Sequence, residues 1–446
     1  MSGKKGEIIF NIARLLNVAF IVYSIYYCFI RFYNPLLPEY YYWKGQLMIV
    51  AVFAFLYLIF ADVYDAFDIR TGRISEILYG QILALLLSDT VMYLVIVFIM
   101  KRFPTIVPAL VTLAVQICFL IAWSFLSKKV YLAAVPPLKT AVVSDSDAGL
   151  DSIIKSHNLD FQFEVSATLD SGSCAAGVTC LSGFEAVFLS ASGQNKDTII
   201  KYCIENGIRV FFIPEVGDMF VYGSEKKHML HLPVFEAGRY SPPLVFLLVK
   251  RAFDIIFSFA FILLLSPFML IIALAVKACD GGPVFYRQTR LTKGGKEFSI
   301  IKFRSMRVDA ENGKAILSTG DSDDRITPVG RVIRKIRADE LPQLFNILSG
   351  SMSFVGPRPE RPEIAEEYCR ALPDFSLRLQ AKAGLTGYAQ VYGKYNTTPE
   401  DKLKMDLMYI ARPSLAEDFR IIFATIKILF VPESTEGFAS SEAEKK

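Results

Sequence analysis

Four stretches of this chain, Ile8–Ile30, Gly45–Phe60, Leu78–Met100 and Ile106–Phe125, are apolar over lengths near the roughly 20 residues with which a helix crosses bilayer hydrocarbon. Nothing else constrains the fold as much, because backbone amides in hydrocarbon have no water to bond and must pair within a helix. The second stretch is short and is expected to use Tyr40-Tyr41-Tyr42-Trp43 as an interfacial anchor. The first has no small-residue cleavage site and reads as a retained span, not a signal peptide. Composition agrees: 53% of the 446 residues are hydrophobic and 21% are charged, whereas soluble domains carry about 25%. Lys4 and Lys5, Arg70 and Arg73, and Lys128 and Lys129 predict an N-terminus and a continuation that are both cytoplasmic. Arg31, Lys44, Lys101 and Arg102 in the opposite loops dilute that bias. Asp89 falls inside the third span, where an ionisable group is costly. Ser88, Asp89 and Thr90 are expected to contact a neighbouring helix, a reading preferred to a transport role.

The formal net charge of +4 is too small to argue for nucleic acid, and no basic run is interleaved with aromatics. Cys28, Cys118, Cys174, Cys180, Cys203, Cys279 and Cys369 show no C-x-x-C spacing and read as reduced thiols. His157, His228 and His231 read as surface or packing residues. From Lys139 to about Tyr222 short β-rich runs alternate with helical ones: Thr140–Val143, Leu150–Ser156, Ala186–Leu189, Asp197–Asn206 and Val210–Ile213. Such alternation predicts a small parallel α/β unit. After its first strand, Val143-Ser144-Asp145-Ser146-Asp147-Ala148-Gly149 lacks the G-x-G-x-x-G loop that lets backbone approach a pyrophosphate. A regulatory or dimerising unit, with a homodimer as its product, is therefore preferred to a cofactor site.

Beyond Pro242-Pro243, the apolar segment Phe253–Val276 is long enough to span, yet carries Ser266-Pro267 at its middle. Proline removes a backbone donor and clashes with the preceding turn, so a kink is expected. Lys250 and Arg251 precede the segment, and Lys277, Arg287 and Arg290 follow it. A straight span would put one cluster outside, against the positive-inside tendency; a helix that enters, breaks at Ser266-Pro267 and returns satisfies both. A kinked fifth span is the alternative.

The following sequence is dense in cations and turn residues. In Phe298-Ser299-Ile300-Ile301-Lys302-Phe303-Arg304-Ser305-Met306, a strand would project Lys302 and Arg304 from one face, suited equally to a pyrophosphate or to solvent beside lipid headgroups. In Ala338-Asp339-Glu340-Leu341-Pro342-Gln343-Leu344-Phe345-Asn346-Ile347-Leu348-Ser349-Gly350, Leu341, Leu344, Phe345 and Leu348 share one helical face, Gly350 is a stop, and Asp339 and Glu340 fall in the first turn. Adjacent helical residues point about 100° apart, so one carboxylate can face a reacting phosphorus while the other holds a divalent cation. Taken alone, such a pair is better explained by helix capping and the helix dipole. Arg358 is fixed between Pro357 and Pro359, and its fork suits phosphate. The run Lys382-Ala383-Gly384-Leu385-Thr386-Gly387-Tyr388-Ala389-Gln390-Val391-Tyr392-Gly393-Lys394 offers glycine N–H groups between cations, able to line a nucleotide or phosphate pocket.

These blocks, with Lys250-Arg251 to Asp254, the Ser266-Pro267 break and Gly356-Pro357-Arg358-Pro359, resemble in identity and order the catalytic domain of bacterial polyprenyl-phosphate hexose-1-phosphate transferases. The upstream spans and α/β unit resemble those of the large members that initiate exopolysaccharide, O-antigen or capsule synthesis. The resemblance implies a multi-pass protein of the bacterial cytoplasmic membrane, its catalytic domain on the cytoplasmic face. It implies a UDP-sugar donor, an undecaprenyl phosphate acceptor in the bilayer and Mg²⁺ as cofactor. Asp339 would be the nucleophile, releasing UMP through an aspartyl-phosphosugar intermediate, and Glu340 the metal ligand. Lys302, Arg304, Arg358, Lys382 and Gln390 would bind substrate or phosphate. Tyr388, Tyr392 and Lys394 depart from the residues frequent in that family, which touches sugar identity and not reaction class.

The expected architecture is thus a membrane protein, α-helical plus α/β. Residues 1–130 form four transmembrane helices, 135–240 a Rossmann-like domain without the glycine motif, and 247–435 a mainly helical catalytic domain with a re-entrant helix at 253–277; 436–446 is a polar tail. A transporter built on Asp89 would leave the Asp339-to-Arg358 stretch without a role. A membrane-anchored nucleotide-sugar-modifying enzyme would need dinucleotide motifs that Lys139–Tyr222 lacks, and a non-catalytic assembly scaffold is the third alternative.

Overall fold

The computed structural model describes residues 2–70, 72–145, 154, 159–229, 231–238, 242–307, 325–393 and 397–429. They fall into two compact units, Met1–Ile213 and Pro214–Lys446. The expected Leu150–Ser156 helix (apart from Ile154), His157, Ser146-Asp147-Ala148-Gly149 and Lys394 lie outside the described residues.

The first unit opens with four helices, α1 (Ser2–Cys28), α2 (Trp43–Val63), α3 (Ile74–Met100) and α4 (Val107–Ala134). Each belongs to a helical stretch long and apolar enough to cross a membrane by length and composition. Helix α2 runs for 21 residues, beyond the Gly45–Phe60 run at both ends, so it reaches spanning length without its tyrosine flank. Polar side chains join the helices inside the bundle: Tyr57 Oη donates to Asn17 Oδ1 at 2.9 Å, Gln116 Nε2 to Ser24 Oγ at 2.8 Å, and Ser124 Oγ to Gln81 Oε1 at 3.1 Å. Ser88, expected with Asp89 and Thr90 to contact a neighbouring helix, is fully buried, while Thr90 is exposed. Their hydroxyls turn back to the carbonyls of Ala84 and Leu86 on α3 itself, the usual recourse of a helical hydroxyl.

A four-stranded parallel sheet follows, with strands β1 (Leu138–Ser144), β2 (Phe163–Asp170), β3 (Ala186–Ser190) and β4 (Arg209–Phe212) in the order β2-β1-β3-β4. Helices α5 (Ser171–Ala176) and α6 (Gly193–Glu205) connect the later strands. Strand β2 was not anticipated, although Phe163, Val165, Ala167 and Leu169 alternate with polar residues as a half-buried strand requires. At the C-terminal end of the sheet, Asp145 accepts from Ser171 Oγ and from the amide and hydroxyl of Ser192. A carboxylate of the chain thus takes up donors that lie near where a parallel sheet would place a bound anion.

The second unit begins before Pro242-Pro243. Helix α7 (Val216–Gly223) puts Met219 into a core with Leu403, Leu407 and Ile421, and is followed by the hairpin β5 (Glu225–Met229) and β6 (Leu232–Glu236). Then comes α8 (Leu244–Asp280), a single helix with Pro267 inside it. The missing proline N–H frees the carbonyl of Leu263, and Ser266 Oγ donates to that carbonyl at 2.8 Å, which lets the helix continue. Buried residues occur on both sides of the proline: Asp254 and Ser258 before it, Met269, Ile272 and Val276 after it. Leu248, Ile256, Phe259, Leu263, Leu264, Leu270, Ile271 and Leu274 are exposed.

Around the buried face of α8 stand the hairpin β7 (Phe285–Leu291) and β8 (Glu297–Phe303), α9 (Pro328–Lys335), α10 (Gln343–Ser349), the parallel pair β9 (Ser353–Val355) and β10 (Gly384–Thr386), α11 (Pro362–Ala371), α12 (Tyr388–Tyr392), α13 (Pro399–Ala411) and α14 (Leu415–Leu429). Arg251 donates to the carbonyls of Ile347 and Leu348 at 2.7 and 2.8 Å, capping α10 where Gly350 turns the chain at φ +94°. Asp254 accepts from Ser353 Oγ and the amide of Phe354, both at 3.1 Å, and Lys250 pairs with Asp418 at 2.5 Å.

Asn346 fastens α10 to β8. Its Oδ1 accepts from the amide of Ile301 at 3.0 Å and its Nδ2 donates to the carbonyl of Ser299 at 2.8 Å, so one side chain completes the strand edge that β7 leaves open. Asn346→Ala leaves both backbone groups unpaired in a closed space and is expected to destabilise the unit by roughly 2 kcal/mol. A lowered unfolding midpoint of the purified protein tests this; an unchanged midpoint would remove Asn346 from that role.

Candidate functional site

The acidic pair sits on one short 3₁₀ turn, Ala338–Glu340, between α9 and α10. The chain enters it through Arg337 at φ +53°, a left-handed conformation that a non-glycine residue holds only where its surroundings fix it. Those surroundings are apolar: Ile333 and Ala338 pack with Met269, Ile272 and Val276 of α8, and Leu344 and Ile347 pack with Ile300 and Met352.

Lys302, one residue before the end of β8, brings Nζ to Glu340 Oε1 at 2.7 Å, and Arg358 brings Nη2 to the same oxygen at 3.5 Å. Motifs far apart in sequence therefore meet at one carboxylate. Burial alone would raise the Glu340 carboxyl, but Lys302 and then Arg358 outweigh it and hold the group well below the ordinary range. Asp339 moves the other way: burial first, then the like charge of Glu340, push it up to about 6 against the pull of Lys302 and Arg334. Glu340 thus adds stability that is present above the ordinary carboxylate range and is lost as pH falls toward its depressed value. Ionised Asp339 destabilises the fold above about pH 6, a cost relieved as pH drops through that value. Two neighbouring carboxylates with opposed environments are suited to different tasks.

The remaining candidates separate. Arg304 was expected on the strand face of Lys302, but β8 ends at Phe303, and Arg304 is only 6% exposed. Its fork grips the carboxylate of Asp280, with Nη1 at 2.7 Å from Oδ2, and so ties the end of β8 to the end of α8. Gly282 makes room, since a Cβ there would lie 2.5 Å from Arg304 Nη1. Lys382 lies among Asp254, Arg251, Lys250 and Lys293, its ammonium pulled down by burial and then by Arg251. Gln390 donates to the carbonyl of Leu385 at 3.1 Å, and its buried Oε1 has no hydrogen-bond partner among the described residues. Arg358 is 46% exposed beside Glu340 and so remains reachable by a ligand.

The glycine run was read as a lining of N–H groups for phosphate, and for Gly384 this is corrected. Its N–H bonds the carbonyl of Pro357 at 3.0 Å while that of Gly356 bonds Thr386 at 2.9 Å. A Cβ on Gly384 would lie 2.2 Å from Gly356 N, and one on Gly387 would lie 2.1 Å from Gly356 O. The glycines let two backbone segments touch, which sets the height of Arg358.

Sequence reasoning missed what holds that arginine from beneath. Arg378 and Asp406 are buried; Arg378 Nε donates to Asp406 Oδ2 at 2.8 Å, and Nη2 donates to the carbonyl of Arg358 at 2.9 Å. Arg290 Nη1 donates to the carbonyl of Pro359 at 3.1 Å. A single arginine among leucines and a single aspartate within a helix carry no pattern, so only the assembled fold marks them.

Known proteins resemble this chain. A family model described as "Bacterial sugar transferase" matches residues 245–432. UDP-glucose:undecaprenyl-phosphate glucose-1-phosphate transferase of Escherichia coli (strain K12) is 40% identical over 241 residues, 52% of this chain and 51% of the relative. UDP-N-acetylgalactosamine-undecaprenyl-phosphate N-acetylgalactosaminephosphotransferase of Aeromonas hydrophila is 40% identical over 202 residues, 45% of this chain and 48% of the relative. Exopolysaccharide production protein PSS of Rhizobium leguminosarum bv. phaseoli is 39% identical over 199 residues, 43% of this chain and 98% of the relative. The chain belongs to the bacterial sugar transferase family. It spans about half the length of the Escherichia coli and Aeromonas relatives.

Asp406→Asn keeps the shape of the buried pair and removes its negative charge, leaving Arg378 undercompensated. The expected loss is roughly 3 kcal/mol of stability, read as a lowered unfolding midpoint. An unchanged midpoint would show that the ion pair does not support the Arg358 segment.

Proposed function

We propose that the chain transfers a hexose-1-phosphate from a UDP-sugar to undecaprenyl phosphate at the cytoplasmic face of the bacterial cytoplasmic membrane, the first membrane step of surface polysaccharide synthesis. The observation that carries this reading is the meeting of Lys302, Arg358 and Glu340 beside a carboxyl of raised pKa at Asp339. The relatives named for undecaprenyl-phosphate glucose, galactose and N-acetylgalactosamine transfer support it.

In this reading an Asp339 carboxylate oxygen attacks the sugar-linked phosphorus, and the bond to the UMP oxygen breaks. The sugar phosphate rests on Asp339 as an acyl phosphate. A phosphate oxygen of the lipid then attacks the same phosphorus and frees the aspartate. Two steps suit a donor from water and an acceptor from lipid that arrive separately. Lys302 and Arg358 lie where charge on the transferring phosphate needs offsetting, and positioned cations carry most of the catalysis in phosphoryl transfer. Adjacent carboxylates on one turn fit Mg²⁺, which takes few protein ligands and fills its shell with water and phosphate oxygens. Glu340, with Asp339 beside it, would hold the ion, which when bound offsets phosphate charge.

Helix α8 suits a re-entrant element, and α1 to α4 suit four spans. Lys250 pairs with Asp418 near the start of α8, and Asp280 pairs with Arg304 at its end, so one polar body grips both sides of Pro267. A straight crossing would drag that body through hydrocarbon.

Purified protein with Mg²⁺ and undecaprenyl phosphate is expected to release UMP from at least one of UDP-glucose, UDP-galactose and UDP-N-acetylgalactosamine. Asp339→Asn should lower turnover at least about 1,000-fold with its unfolding midpoint retained, the scale of loss seen when a nucleophile is removed. Near-normal turnover in that variant would exclude Asp339 as nucleophile. Because only the ionised carboxylate attacks, kcat/KM should fall as pH drops through about 6. A flat acid limb across that value would contradict the assignment.

A further inference from the structure

Inside the four-helix bundle, acceptors outnumber donors around Asp89. Among the described residues, both of its carboxylate oxygens are enclosed without a hydrogen-bond partner, and so is Oε1 of the fully buried Gln116 on α4. The bond between Gln81 of α3 and Ser124 of α4 fixes their relative level. These helices run antiparallel, so Asp89 and Gln116, each about two turns from that bond, stand at about the same height in the bundle. At this level α1 contributes Ser24, whose Oγ accepts from Gln116 Nε2, and one turn on it contributes Cys28 beside Thr112 of α4.

The donors here are already committed. The Ser24 hydroxyl bonds the carbonyl of Ile21, the Thr112 hydroxyl bonds that of Pro108, and the Gln116 amide bonds Ser24. Asn17 Nδ2 has no partner, but it lies about two turns away from Ser24 along α1. The titratable groups facing Asp89 are Cys28 from α1 and Tyr57 from α2; α4 presents the neutral Thr112 and Gln116. The cations of the bundle interior are engaged elsewhere, Lys128 on the carbonyls of Ile69 and Gly72, and Arg14 over the ring of Phe67. A carboxylate enclosed by apolar helices must find positive charge or become neutral. Three unpartnered oxygens at one level, where among the described residues the hydroxyl donors and the Gln116 amide are bonded elsewhere and the Cys28 thiol is a weak donor, form a set suited to a positive species.

We infer that the bundle interior binds one small hard cation, a proton or an alkali ion, between Asp89 and Gln116. This site is separate from the acidic pair of the second unit and gives the four helices a task besides anchoring. It does not rest on the proposed transferase reading.

The test uses the full chain in nanodiscs. Unfolding midpoints are measured with sodium chloride against choline chloride at fixed ionic strength, and from mildly alkaline to mildly acidic buffer. An alkali site raises the wild-type midpoint with sodium. A proton site raises it on acidification with no sodium response. Either response should vanish in Asp89→Asn relative to the wild type, since a neutral amide of the same shape can itself donate to Gln116. Gln116→Leu removes one acceptor, and should shift the response to about tenfold higher ion concentration, as expected for the loss of one ligand worth about 1.4 kcal/mol. Wild type and both variants responding in parallel under every condition would overturn the site. If Asp89→Asn does not fold, a Gln116→Leu response superimposable on the wild type overturns it alone.

Discussion

A single carboxylate oxygen organises the second unit: Oε1 of Glu340, gripped by Lys302 and approached by Arg358. An ionised carboxylate in so closed a place would be untenable without those cations, and the cations would repel one another without it. Strand β8, the 3₁₀ turn and the Pro357-Arg358-Pro359 segment are each positioned by their own packing. The ion pairs are where their positions are reconciled. Asp339 inherits its character from this arrangement, because its neighbour stays charged and its own environment is closed, so its carboxyl titrates near 6 and not in the ordinary range.

Helix α8 carries the same body on one face and apolar residues on the others. Arg251 caps α10, Asp254 holds the start of β9, and Asp280 locks Arg304, so polar side chains along the helix fix elements that the acidic turn depends on. Ser266 explains how a proline is tolerated at its middle, since its hydroxyl takes the carbonyl that the proline leaves unpaired. A helix held this way presents an apolar surface on the same unit as the acidic turn, which suits the proposed meeting of a water-soluble donor and a lipid acceptor.

Much of this was legible before folding. The apolar runs, the Asp339-Glu340 turn and Gly350 as a stop rest on local chemistry, which the chain carries in adjacent residues, whereas the helix expected to break at Ser266-Pro267 runs unbroken from Leu244 to Asp280. Strand β2 escaped notice because its polar alternation is weak evidence beside the apolar runs of β1 and β3. Arg304 was misjudged because strand alternation was extended one residue past the end of β8, where the backbone turns and delivers the side chain to Asp280. Arg378 and Asp406 were illegible for another reason. Their meaning lies in a contact across the fold, and a lone charge in an amphipathic stretch looks like a solvated face. The glycines were recognised, but their use was not, since close approach of two backbones and a phosphate cradle ask for the same residue.

In the proposed reaction Asp339, set beside a charged Glu340, becomes covalently attached to the transferred sugar phosphate. The most direct measurement is peptide mass mapping of protein mixed with Mg²⁺ and a UDP-sugar that it turns over, quenched in acid without lipid acceptor. The account predicts a hexose-phosphate mass increment confined to the peptide that contains Asp339, removed when undecaprenyl phosphate is added before the quench. An increment on a different residue, or acceptor-dependent turnover with no increment at any quench time, would contradict it.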